Sequence, residues 1–190
     1  MPVWDRFPGV LSGDQKENRQ RRSQIIGNLN RERFIELVER EQAPLRRFLL
    51  GLCLGNREEA EDIAQDALVK AYLNSPFFEE RSKFSTWLFK IAYNTFLDRR
   101  KKAENRIVGA GLGEAERQSS CSDSDERFRY QELYNALEQI PPRERTAILL
   151  HYIGGYSVRE SAVIMDCSTG AVKQLLFRGR EQLKTKLDLE

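Results

Sequence analysis

Histidine is nearly missing from this chain. His151 is the single one, and the three cysteines, Cys53, Cys121 and Cys167, stand far apart with no Cys-x-x-Cys pair. So few nitrogen and sulfur ligands give no zinc signature, and an odd, scattered set of thiols builds no disulfide framework. A Gly-rich phosphate loop and a Ser-His-Asp order are missing too, so the sequence gives no reason to expect an enzyme, and no catalytic residue, cofactor or metal is expected. No apolar run is long enough to span a bilayer, and the opening Met1-Pro2-Val3-Trp4-Asp5 lacks the basic-then-apolar order of a secretory signal. A cytoplasmic location without membrane insertion is the expectation. Charge of one sign is also lacking: 31 Lys and Arg against 29 Asp and Glu leave a formal net of +2, too little to coat nucleic acid by charge alone. Strand-like alternation and internal repeats are absent, which points to an all-helical chain.

What is present is clearest near the carboxyl terminus. Ser157 with Glu160 three residues on reads as a capping box that opens a short helix, and Ala162 is small enough to let a second helix cross closely. Asp166-Cys167-Ser168 makes the turn. Ser168 then caps a helix whose apolar positions Val172, Leu175, Leu176, Gly179 and Leu183 share one stripe and turn Lys173, Gln174, Phe177 and Arg178 outward. This is a helix-turn-helix whose outward side chains suit base edges in a major groove.

Residues 1–27 are polar, show no sustained period and read as a mobile extension. From Asn30 the helical period begins with Phe34, Leu37, Val38, Leu45, Phe48, Leu49 and Leu52, with Pro44 marking a break or a new first turn. Asn56 with Glu59 opens a helix with Ile63, Ala64, Ala67, Leu68 and Ala71 inward and its acidic residues at the positive end of the dipole. Glu58, Asp62 and Asp66 recur four apart, a spacing a cation could use, but no histidine or other ligand lies nearby. Pro76 ends that helix in a loop, Asn74 to Lys83. The next helix runs from Phe84 to a basic end, Arg99 to Lys102, with Trp87 and Phe96 expected in the core. Periodicity then fails through Gly109-Ala-Gly-Leu-Gly113 and Gln118 to Ser124, so this stretch of roughly twenty residues reads as a linker between two domains. Phe128 to Ile140 gives another helix, Pro141-Pro142 breaks it, and Ala147 to Ile153 gives the next. His151 reads as a rim residue.

Two stretches together resemble the extracytoplasmic-function (ECF) sigma factors, the small two-domain members of the bacterial sigma-70 family. Ala60 to Tyr72 followed by Phe84 to Arg100 is similar to the sigma-2 domain, and Ala136 to Arg145 leading into the helix-turn-helix is similar to the sigma-4 domain. The resemblance implies two small helical domains, sigma-2 over 28–104 and sigma-4 over 128–188, joined by a flexible linker over 105–127. It also implies RNA polymerase core as the partner, met through its clamp helices and flap, together with promoter DNA and an anti-sigma factor. Matched residue by residue, Asp62, Gln65, Asp66, Leu68 and Val69 would grip the polymerase. Phe77, Phe78, Ser82, Lys83, Lys90, Tyr93, Asn94, Arg99 and Arg100 would melt and hold the minus-10 element. Ser168, Thr169, Lys173, Gln174, Phe177 and Arg178 would read the minus-35 element. The rival reading is a two-domain helix-turn-helix regulator that binds duplex DNA unaided.

Overall fold

The computed structural model describes residues 29–78, 82–110 and 124–186, with seven α-helices and no strand among them. Helix α1 spans Arg31–Leu52 and is opened by Asn30, whose side chain accepts the Arg33 N–H at 2.8 Å. Pro44 lies inside α1 and does not break it, which corrects the sequence expectation. A mid-helix proline costs about 3 kcal/mol. The stripe that offsets it straddles the proline: Phe34 on one side and Leu45, Phe48, Leu49 and Leu52 on the other are all buried.

Leu54 and Gly55 reverse the chain in the left-handed region, at φ 55° and 83°. Gly55 is suited to its place twice over, because a Cβ there would lie 3.0 Å from the Tyr134 ring. Helix α2, Arg57–Asn74, follows from Asn56, which accepts the Glu59 N–H at 3.1 Å. Its inward residues are Ile63 and four alanines, Ala60, Ala64, Ala67 and Ala71, so neighbouring helices approach closely. Ser75–Phe77 form one 3₁₀ turn, and the long helix α3 runs Phe84–Ala110.

The second half begins with α4, Ser124–Glu138, and α5, Pro142–Ile148, which has proline at its first turn as helix starts allow. α5 continues into a π-helical turn, Leu149–Ile153. Helices α6, Val158–Met165, and α7, Thr169–Lys186, complete the fold. The capping box is present in full: the Ser157 hydroxyl accepts the Glu160 N–H while the Glu160 carboxylate accepts the Ser157 N–H at 2.9 Å. Asp166 makes the turn at φ 51°, and Ser168 Oγ accepts the Ala171 N–H at 3.1 Å.

Two boundaries of the expected linker move. α3 continues through Gly109 to Ala110 and α4 already begins at Ser124, so only 111–123 remain between them, outside the described residues together with the expected extension over 1–27. The two helical halves also pack on each other. Leu149 and Leu150 of the π turn are fully buried, and a Cβ on Gly51 of α1 would lie 2.7 Å from Leu149 Cδ2. The Phe89 ring of α3 meets Tyr156 with centroids 4.9 Å apart. Arg145 of α5, also buried, donates to the Ile140 carbonyl at 3.3 Å and reaches the Leu52 carbonyl at the end of α1.

Candidate polymerase and nucleic-acid interfaces

Asp62, Gln65, Asp66 and Val69 all stand exposed, as their three- and four-residue spacing on α2 requires, whereas Leu68 is half-buried and packs against the core. The exposed stripe does not stop at Val69. Leu73, one further turn along, is 66% exposed, and Tyr72 beside it is 51% exposed with its ring edge-on to Phe34. The face therefore grades from acidic to apolar. The apolar extension was missed in the sequence, although Val69 and Leu73 at i, i+4 opposite the alanine stripe were the signal for it.

The two carboxylates are occupied. Arg99 of α3 gives one guanidinium nitrogen to Asp62 at 3.1 Å and the other to Asp66 at 2.9 Å. Partial burial works against the Arg99 charge, but the hydrogen bonds it donates to Asp66 and Asp62 outweigh it and hold its pKa above the ordinary value. One turn away Lys70 donates to Thr95 Oγ1 at 3.0 Å and lies 3.9 Å from Asp98, so a polar ladder joins α2 to α3. No group of three or more metal-ligating side chains occurs among the described residues, and Asp62 and Asp66 neutralise a cationic side chain instead.

The residues expected at the minus-10 element divide sharply. Phe77 is 58% exposed and Ser82 and Asn94 are half-buried. Phe78 is buried, with its ring 5.0 Å from Trp87 and 5.8 Å from Phe84, and so packs the loop down rather than offering a face for a base. Tyr93 is likewise buried, its hydroxyl bonded to Thr146 of α5, and burial raises its pKa more than that bond lowers it. Lys83 pairs with Glu160 at 2.8 Å and Lys90 with Asp166 at 3.3 Å, both carboxylates belonging to the helix-turn-helix. The Arg100 guanidinium lies over Phe96, 5.7 Å from the ring centre. In this arrangement the second half engages Lys83, Lys90 and Tyr93 of the face assigned to single-stranded DNA. Phe96 is in the core as expected, and Trp87 packs against it.

Glu160 holds this closed form from two directions. The hydrogen bond from Lys83 and those from Ser157 draw its carboxyl down to about 2, and the same contact raises the Lys83 pKa. Burial pushes the Tyr156 hydroxyl up, outweighing its bond to Ser85 of α3. Burial, the largest effect on Cys53, and the nearby Glu59 push its thiol far above its ordinary range, so it is an inert core residue.

On α7 the arrangement matches the sequence reading. Lys173, Gln174, Phe177 and Arg178 are exposed, as are Ser168 and Thr169 at the amino end, while Val172, Leu176 and Gly179 are buried. Leu175 is half-buried and faces the core side. Gly179 packs closely on α5: a Cβ there would lie 2.6 Å from Ile148 Cδ1, so that side chain would have to shift to admit one. His151 is half-buried at the rim, Nδ1 2.9 Å from the Tyr156 carbonyl.

Comparison with known proteins agrees with this geometry in both halves. The family model described as Sigma-70 region 2 matches residues 37–106, and that described as Sigma-70, region 4 matches residues 130–183. The ECF RNA polymerase sigma factor SigW of Bacillus subtilis is 38% identical over 146 residues, covering 70% of this chain and 78% of its own. The ECF RNA polymerase sigma-E factor of Escherichia coli is 34% identical over 143 residues, covering 68% of this chain and 74% of its own. Among solved structures, the sigma factor RpoE of Bartonella quintana, determined with the anti-sigma factor NepR, superposes with a TM-score of 0.70 at 27% identity, over 83% of this chain and 98% of that one. A region-2 helical bundle that pairs an acidic helix with a basic one, followed by a region-4 helix-turn-helix, places this chain in the ECF group of the sigma-70 family of RNA polymerase sigma factors.

Proposed function

We propose that this chain directs bacterial RNA polymerase to promoters by dividing the task between its halves, sigma-2 over 28–104 and sigma-4 over 128–188. Core polymerase docks on the α2 stripe of Asp62, Gln65, Asp66 and Val69, which continues to Leu73. An acidic stripe with an apolar end suits a basic helical partner, because charge sets the register and the apolar end supplies desolvated area. Lys173, Gln174, Phe177 and Arg178 of α7 read the minus-35 element as duplex, with Ser168 and Thr169 anchoring phosphate. Phe77, Ser82, Lys83 and the basic end of α3 at Arg100 serve the opened minus-10 strand. The protein carries no chemistry of its own in this reading and acts in the cytoplasm on the polymerase. An anti-sigma factor belongs to the same reading, supported by the likeness over both halves to a sigma factor solved with one.

The observation that carries the proposal is the order of the two surfaces, an exposed acidic-to-apolar stripe in the first half and an exposed Lys-Gln-Phe-Arg face on the second helix of a helix-turn-helix in the other. Run-off transcription with purified core polymerase on genomic fragments tests it and yields the promoter. Discrete transcripts that require both core and this chain are expected. Specific duplex binding without any such transcript would favour the stand-alone regulator.

A further inference from the structure

We propose that Arg99 is an exchangeable counter-ion that links polymerase docking to DNA binding: docking takes Asp62 and Asp66 away from it and so releases its guanidinium to the promoter strand. This rests on the assignment of α2 as the polymerase contact. Arg99 belongs to the basic run Arg99 to Lys102, yet it does not present its charge as its neighbours do. Lys101 and Lys102 are exposed, whereas both terminal nitrogens of Arg99 are committed to carboxylates on successive turns of α2.

Those ion pairs are placed for exchange. The side chains of Asp62 and Asp66 are 57% and 53% exposed and that of Arg99 is 34% exposed, so water and an incoming cation reach all three. Pairs this exposed are individually weak, and a partner arginine displaces them at small cost. They border an open cleft between α2 and α3 lined by Glu59, Asp66, Val69, Thr95, Asp98 and Lys102, which leaves the guanidinium somewhere to turn. Once the carboxylates face polymerase cations, Arg99 loses both of its ion-pair partners. Of the carboxylates left in the cleft, Asp98 lies beside Lys70, so promoter phosphates compete with Glu59 for the freed guanidinium. Because the coupling is a free energy between two sites, DNA bound at Arg99 must also tighten the polymerase contact.

One substitution should move the two affinities in opposite directions. Arg99→Gln removes the internal competitor for Asp62 and Asp66, so core polymerase should bind about threefold to tenfold more tightly. The holoenzyme formed with that variant should bind a single-stranded minus-10 oligonucleotide several-fold more weakly. Arg99→Lys keeps the charge but cannot fork across two carboxylates, so its core affinity should fall between the two while oligonucleotide binding stays near the parent value. Both are read by fluorescence anisotropy on the full chain, and the lysine variant keeps the test open if the glutamine variant folds poorly. Weaker core binding by Arg99→Gln would show that Arg99 merely orders the acidic face, and unchanged core binding would show no competition. Either result overturns the exchange. Asp66→Arg, measured alongside, separates the two claims: if it leaves core binding intact, the assignment of α2 is what fails.

Discussion

Lys83, at the foot of the loop that enters α3, places its ammonium 2.8 Å from Glu160, the residue that completes the capping box of α6. One carboxylate thus opens a helix and ties the two halves together. Its depressed pKa sets the sign of a pH effect. Unfolded, Glu160 titrates near the ordinary value of about 4.3. Folded, it titrates at about 2. Its stabilising contribution is therefore complete above the unfolded value and fades as pH falls from there toward the folded one. The melting temperature of the parent should exceed that of Glu160→Gln at pH 6, and the gap should close as pH approaches about 2. A gap constant across that range would show that the charge of Glu160 is not what stabilises the closed form.

The second tie, Lys90 to Asp166, is also between the halves. Lys90→Glu sets two carboxylates facing each other across that contact, and the like charges should loosen the packing of α6 on α3. Small-angle scattering should then report a larger radius of gyration for the free variant than for the parent. Adding Asp166→Lys should restore the compact value, whereas an unchanged radius in the single variant would mean that the apolar contacts around Phe89, Tyr156 and Leu149 hold the halves without help.

On α2, Asp66→Arg should weaken binding to core polymerase by about 2 kcal/mol or more, the scale expected when one charge of an interface pair is reversed. Titration of labelled polymerase measures it directly, and an unchanged affinity would remove α2 from the interface.

The two promoter surfaces should fail differently. Arg178→Ala should cost about 1 to 3 kcal/mol of holoenzyme binding, concentrated at the minus-35 bases it faces. Lys83→Ala and Phe77→Ala should leave closed-complex binding near normal yet slow the appearance of permanganate-reactive thymines at the start site. Duplex readout needs rigid donors on a helix, and base capture needs an open ring and a basic path for one strand. Equal loss of closed complex by both classes, with no rescue on a pre-melted template, would contradict the division.

Much of this was legible because it is local. The caps at Asn30, Asn56, Ser157 with Glu160, and Ser168 are set by residues three apart, and the outward face of α7 follows from helical periodicity alone. Pro44 and Gly109 were misleading for a related reason: each weakens a helix by an amount that burial on either side, or continuation of a long helix, can offset, and only the folded chain shows that balance. The packing of the halves was not legible. Phe89 with Tyr156 and Lys90 with Asp166 join residues more than sixty apart in sequence, so nothing in either local pattern marks them. Phe78, Tyr93 and Arg99 have the chemistry of DNA contacts, and composition cannot tell an aromatic ring or a guanidinium that meets solvent from one that meets its own fold.

In the proposed function promoter recognition belongs to the complex with polymerase, while the free chain keeps Lys83, Lys90 and Tyr93 against its own second half. Gel shifts on a promoter defined by run-off transcription, at physiological salt, with and without core polymerase, test it most directly. Firm binding should appear only when core is added. Nanomolar, sequence-specific binding by the isolated chain would show that recognition does not need polymerase.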